Sequence, residues 1–159
     1  MAARAPLAFA QAPARRIGFL SLDTEGSIAG QSARDQFPAA MARRGYVAGR
    51  DYVIEWRWAD GRTEDLAALA AGLTRSRVDV IVARTNEPIG AAMRATRTIP
   101  IVMLNGNFPV ETGLVASLAH PGGNVTGTAY ISPETMGKVM HVLREVVPRA
   151  RSLAVMWSN

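Results

Sequence analysis

Three short polar stretches carry the side chains in this sequence best suited to holding a small molecule. They are Ser21-Leu22-Asp23-Thr24, Arg84-Thr85-Asn86-Glu87 and Asn105-Gly106-Asn107-Phe108. Each follows a short apolar run, where a strand would give way to a loop. Their hydroxyl, amide and carboxylate groups can exchange hydrogen bonds with a polar solute. Thr85 and Asn86 stand just before a helical pattern, whose first free N–H groups favour an anion such as a ligand carboxylate. Asn86 could equally cap that helix, and the two roles are compatible. Arg84 either pairs with a carboxylate or lies solvated on the surface. Glu87 reads as a partner of the helix dipole rather than as a catalyst.

The signatures of covalent, metal and nucleotide chemistry are missing from the sequence. It has no cysteine, which removes disulfides, zinc–thiolate sites, iron–sulfur clusters and thiol nucleophiles. His120 and His141 are the only histidines, far apart and without metal-ligand spacing. His120 reads as a loop residue before Pro121, and His141 as a helix residue beside an apolar stripe. No G-x-G-x-x-G, Walker loop or G-x-S-x-G follows any strand pattern. No catalytic residue, metal or cofactor is therefore expected.

Composition sets the frame for these loops. The chain has 159 residues, enough for one ordinary domain, and 48% are apolar, which supplies a core and argues against disorder. Charged residues make up 19%, too few for a coiled coil. The net charge is +5, and Lys138 is the single lysine among 18 basic residues. The arginines are scattered, with only Arg15–Arg16 and Arg43–Arg44 adjacent. Aromatic residues do not interleave with them, so nucleic acid is not an expected partner. No apolar run approaches the roughly 18 residues of a membrane span.

The elements that must position the loops follow from periodicity. Ile17–Leu20, Tyr52–Trp58, Val78–Ala83, Pro100–Leu104 and Leu153–Trp157 read as strands. Gln31–Arg44 reads as a helix ended by Gly45, with Pro38 predicting a kink or a late start. Over Thr63–Arg75, Leu66, Leu69, Ala70 and Leu73 form one apolar face. Glu87–Thr96 is a short helix with Pro88 in its first turn. Asn105–Gly127 reads as a long irregular stretch. Ser132-Pro133-Glu134 then starts a helix whose stripe Met136, Val139, Met140, Leu143, Val146 and Val147 runs to Pro148. Alternating strands and helices of these lengths predict an α/β fold with a doubly wound parallel sheet.

The first 14 residues are rich in Ala and Pro. Ala8-Phe9-Ala10 has the small-x-small form that signal peptidase reads, predicting cleavage after Ala10. The preceding apolar stretch is short for a complete signal, so residues 1–14 read as the tail of a secretory signal or a leader without an address.

Several motifs make the chain resemble a known family. Gly45-Tyr46-Val47-x-Gly49, Ile54-Glu55-Trp56-Arg57-Trp58-Ala59-x-Gly61-Arg62 and Thr98-Ile99-Pro100-Ile101-Val102 support the likeness. The most specific stretch is Thr112-Gly113-Leu114-Val115-Ala116-Ser117-Leu118-Ala119-x-Pro121-Gly122-Gly123-Asn124-Val125-Thr126-Gly127. From Ile17 to Asn159 the sequence resembles the ABC-transporter substrate-binding proteins, in the group that includes tryptophan- and tyrosine-binding lipoproteins. The resemblance implies a type I periplasmic binding protein with two Rossmann-like lobes that close on a ligand about a hinge. It implies a small-molecule solute, possible amino-acid binding, an ABC permease in the inner membrane as partner, and a periplasmic or exported location.

Carried onto this chain, the resemblance places ligand contacts at Ser21, Asp23, Thr24, Thr85, Asn86, Asn105, Asn107 and Phe108. Phe108 either stacks on an aromatic ligand or packs beneath its loop. The implied organisation is a leader at 1–14, a ligand-binding lobe at 15–128, and the start of a second lobe at 129–159, with the crossing near Thr126–Tyr130. Two lobes need roughly twice this length, so the resemblance covers an N-terminal half. The stripe on helix 133–147 then folds back on the first lobe, self-associates, or stays exposed.

Two departures fall in the loops. The family usually reads Gly-Thr-Pro after the third strand, where this chain has Thr85-Asn86-Glu87-Pro88. It usually reads Gly-Asp-Pro-Val-Gly-Thr-Gly after the fourth, where this chain has Asn107-Phe108-Pro109-Val110-Glu111-Thr112-Gly113. The alternative class is a cytoplasmic flavodoxin-like or effector-binding α/β domain. No DNA-binding headpiece precedes Ile17, and no catalytic constellation supports an enzyme version.

Overall fold

The β-branched and aromatic runs become strands, as their shapes favour. In the computed structural model these are β1 (Arg15–Ser21), β2 (Tyr52–Trp58), β3 (Val80–Arg84) and β4 (Ile101–Asn107). A fifth strand, β5 (Val125–Ile131), completes one sheet in the order β2-β1-β3-β4-β5, and every pairing is parallel. Helices α1 (Ile28–Arg43), α2 (Leu66–Arg75), α3 (Asn86–Ala95) and α4 (Pro133–Val146) alternate with the strands. The structure describes residues 13–131, 133–149 and 152. The expected cleavage site after Ala10 and the expected strand Leu153–Trp157 lie outside them.

Successive strand residues point to opposite faces, so each strand feeds two cores. On one face Leu20, Ile81, Ala83, Ile101 and Met103 meet Leu66, Ala70 and Leu73 of α2 and Ile89 and Ala92 of α3. Burying each large aliphatic side chain contributes about 1.5–3 kcal/mol. On the other face Phe19, Trp56, Trp58 and Val82 meet Ala33, Phe37 and Met41 of α1. Aromatic rings fill this second layer. Phe19 lies 4.6 Å from Trp56 between ring centres, and Trp56 stacks on Trp58 at 5.5 Å. Only Gly30 of α1 is fully buried, so this helix rests on bulky rings rather than nesting into the sheet.

Two expectations change, and a third, among the alternatives for the α4 stripe, is narrowed. Helix α1 begins at Ile28, not at Gln31 or later. Ser27 caps it by accepting from the Gly30 amide at 3.0 Å, which satisfies a free N–H of the first turn. Pro38 sits within the helix all the same. The stretch read as irregular from Asn105 to Gly127 is so only between β4 and β5, because both strands reach into it. The stripe on α4 does not fold back on the sheet. Val139, Met140, Leu143 and Val146 are all exposed, Val146 by 71%.

Strand β5 depends on one glycine. Gly127 pairs with Met103 at a φ of +135°, and a Cβ there would stand 2.1 Å from the Met103 carbonyl oxygen. No side chain fits without pushing β5 off β4. Gly127→Ala is expected to cost about 2 kcal/mol or more, read as a lower urea midpoint. Gly123→Ala, with open space around it, is expected to stay within about 0.5 kcal/mol. Equal midpoints for the two variants would contradict the packing argument.

A second set of contacts ties β1 and β2 to the end of α2. Glu55 accepts from Ser76 Oγ at 2.8 Å and from Arg16 Nη2 at 3.1 Å, and also pairs with Arg57. Burial works against its charge, but the Ser76 hydroxyl and the two guanidiniums outweigh it and hold the carboxyl below its ordinary value. A carboxyl depressed in the fold contributes stability that is complete above its unfolded value, about 4.3. That stability is lost as pH falls through the lower folded value. Glu55→Gln should therefore flatten the decline of the urea midpoint between about pH 5 and pH 3. An unchanged acid limb would show that the cluster is energetically silent.

Candidate functional site

All three polar stretches end parallel strands, so the fold gathers them at the carboxyl edge of the sheet. Strands β1 and β3 are neighbours, with Leu20 opposite Ala83. Helix α1 leaves β1 toward one face, while α2 and α3 cover the other. The edge between β1 and β3 is thus the switch point of the winding, where open α/β sheets bind ligands.

The loop after β1 is stiffened from within. Ser21 is buried, donates from Oγ to Asp23 Oδ2 at 2.7 Å and accepts from the Asp23 amide at 3.2 Å. Thr24 is exposed, and its carbonyl accepts from Ser27. A Cβ on Gly30 would stand 2.3 Å from that Thr24 carbonyl oxygen, so this loop lies directly on the first turn of α1.

Across the switch point, Arg84 ion-pairs with Asp23. The carboxylate that Arg84 meets thus belongs to the chain itself. Arg84 also lines a cavity of about 260 Å³ beneath α1, with Phe19, Ser32, Phe37, Leu104 and Asn105. The residues of α1 in this cavity were not among the candidates. Arg84 continues the alternation of Val80 and Val82, which assigns it to the face of α1.

Asn86 does not cap α3. It is the first residue of the helix, after Thr85. Its amide donates to the Asn107 carbonyl at 2.9 Å and accepts from the Asn107 N–H at 2.8 Å. That reciprocal pair fastens the tip of β4 to the start of α3. Asn107 Oδ1 is buried and unpartnered among the described residues. Asn105 is exposed, and Phe108 is partly buried. Glu87 lies in the first turn of α3, as its dipole role requires.

Backbone strain collects in the same loops. Thr85, Asn105 and Phe108 are three of the five non-glycine residues with positive φ among the described residues. Thr85, at φ +67° and ψ 169°, occupies a region that is essentially glycine's alone. The resemblance to the family puts a glycine in this turn. Among the described residues, the Thr85 hydroxyl donates only to its neighbour, the Arg84 carbonyl, at 2.6 Å.

A larger cavity, about 530 Å³, opens at the opposite edge of the sheet beside Met41, Tyr46 and Tyr52. Its rim charges are already matched, Arg50 with Asp51 and Arg15 with Asp79. The carboxyl edge is the better candidate, because unpartnered polar groups and the switch point coincide there. The strain makes its own test: Thr85→Gly is expected to raise stability by about 1 kcal/mol through strain relief, measured by urea denaturation. A loss of stability would contradict it.

Comparison with known proteins bears on the family and the fold. Residues 29–159 match the family described as ABC transporter substrate binding protein. A tyrosine-binding protein of Clostridioides difficile (strain R20291) is 31% identical over 146 residues, covering 91% of this chain and 41% of that protein. The ligand-free, open structure of a substrate-binding protein with adhesive properties from Clostridium difficile superposes with a TM-score of 0.73 at 28% identity, covering 86% of this chain and 45% of that one. A conserved domain protein from Vibrio cholerae gives 0.72 at 25% identity, with the same two coverages. This chain spans less than half the length of each. On the strength of the family match and the parallel sheet it accompanies, the chain belongs to the ABC transporter substrate-binding protein family.

Proposed function

We propose that this chain forms the N-terminal, ligand-gripping lobe of a solute-binding protein that feeds an ABC importer. The reading rests on one observation above the rest. The loops after β1, β3 and β4 lie at one edge of the sheet, where Asp23 pairs with Arg84 and where Arg84 and Asn105 line one cavity. Residues 15–128 supply this lobe, and 129–159 begin the passage into a second one. Capture outside the inner membrane and delivery to a permease there follow from the family, as does an exported location.

The solute is a small polar molecule, and the curated relative's name favours an amino acid. The lobe has no need of bond-breaking groups for this task. It needs fixed donors and acceptors, which strained, internally bonded loops provide at low entropic cost.

The reading is tested by mapping backbone amide shifts in the isotopically labelled chain during titration with free amino acids. Shifts centred on residues 21–24, 84–87 and 105–108 are the expected result. Shifts centred instead on the cavity beside Met41 and Tyr46, or none with any amino acid, would contradict it.

A further inference from the structure

We infer that the cavity at the amino edge of the sheet is a second binding site, for a neutral, largely apolar molecule that carries one hydrogen-bonding oxygen. The site is separate from the crevice at the carboxyl edge, and its occupancy is independent of the solute-binding reading.

The cavity measures about 530 Å³, within the range of small-molecule pockets, about 300–1,000 Å³. Ile17, Met41 and Val80 give it an apolar wall, and Tyr46 and Tyr52 join them. Its rim is held by the chain itself. The turn from α1 into β2 passes through Gly45 at a φ of +86°. The Tyr46 amide then donates to the Met41 carbonyl at 3.1 Å, and the Val47 amide to Asp51 Oδ2 at 2.7 Å. Tyr46 thus stands at the mouth on a fastened turn, half exposed.

One polar atom inside is left over. Tyr52 is 2% exposed and lines the cavity, yet its hydroxyl has no hydrogen-bond partner among the described residues. The described side-chain atoms sealed from solvent without a partner are Trp58 Nε1 and Asn107 Oδ1. The Tyr52 hydroxyl is not one of them, so it stays open, and the space it opens on is the cavity. A hydroxyl so placed gains from a partner that fills that space.

The charges at the mouth say what does not fit. Asp51 already takes the Val47 amide and Arg50. Asp79 takes the Arg16 amide at 2.7 Å and Arg15 at 3.5 Å. An ionic ligand would enter an apolar space that holds no unpaired counter-charge, which is costly. A neutral molecule escapes that cost, lays its apolar body against Ile17 and Met41, and gives the Tyr52 hydroxyl its partner. An amino acid, charged at both ends, does not suit this site.

Four two-ring probes test this by amide-shift titration of the full chain: 2-naphthol, naphthalene, 2-naphthoate and 2-naphthylmethylammonium. Shifts centred on residues 41–52 and 79–80 are expected with 2-naphthol. Naphthalene, which lacks the oxygen, should bind about fivefold more weakly, and the two ions about tenfold more weakly or less. Tyr52→Phe should erase the advantage of 2-naphthol over naphthalene and leave naphthalene itself unchanged. An advantage that survives in the variant overturns the proposal, as does an ion that matches 2-naphthol on the unmodified chain. No shift at these residues with any probe overturns it too. Binding that appears only once residues 1–12 are removed would give the cavity to that segment of the chain. Shifts at Tyr46 and Tyr52 that follow protein concentration alone would give it to a second copy. Either result overturns the proposal. All of these outcomes leave the solute-binding reading standing, because that reading is tested at residues 21–24, 84–87 and 105–108 with amino acids.

Discussion

Parallel strands cannot be joined by a tight turn, and the crossovers that join them are right-handed. In this chain the first crossover, through α1, places β2 on one side of β1. The second, through α2, must pass back over β1 to reach β3 on its other side. Handedness then puts α1 on one face of the sheet and α2 and α3 on the other. The connections leaving β1 and β3 diverge, and a crevice opens between their carboxyl ends. Every feature of the candidate site hangs on that divergence. Asp23 and Arg84 face each other because they bracket it. Asn86 can reach Asn107 because β4 is the next strand along.

The site combines a stiff base with tense corners. Beneath it, fully buried Leu73, Ile81, Ile89 and Ile101 fix the strands and helices. Above them the backbone takes positive φ at Thr85 just after β3, at Asn105 in the irregular end of β4 and at Phe108 just after it. Such corners cost free energy and persist because the surroundings over-determine them. The Thr85 amide donates to the Leu104 carbonyl, the Asn86 side chain brackets the Asn107 peptide, and Thr112 donates to the Phe108 carbonyl. Loops held this way keep their polar atoms in place before any ligand arrives, which is what a binding face requires.

The winding was legible in the sequence because short β-rich runs alternate with amphipathic helices, Leu66 to Leu73 most plainly. Strand β5 was not, because Gly127 interrupts its alternation. The reason for that glycine lies in Met103, far away in the chain. The early start of α1 was hidden by Gly26 and Gly30, which read as loop residues. Gly30 in fact admits the Thr24 carbonyl against the helix. The three polar loops were legible as strand endings. Their internal bonds were not, because pairs such as Asp23 with Arg84 and Asn86 with Asn107 exist only once the sheet order is known. The face occupied by Arg84 was readable from Val80 and Val82, but nothing local named Asp23 as its partner.

If the crevice at the switch point is the binding face, a crystal of this chain grown with L-tyrosine should show the ligand between the tips of β1 and β3. Ligand density at the amino edge of the sheet, beside Met41 and Tyr46, with the carboxyl edge unchanged, would contradict the account at its root.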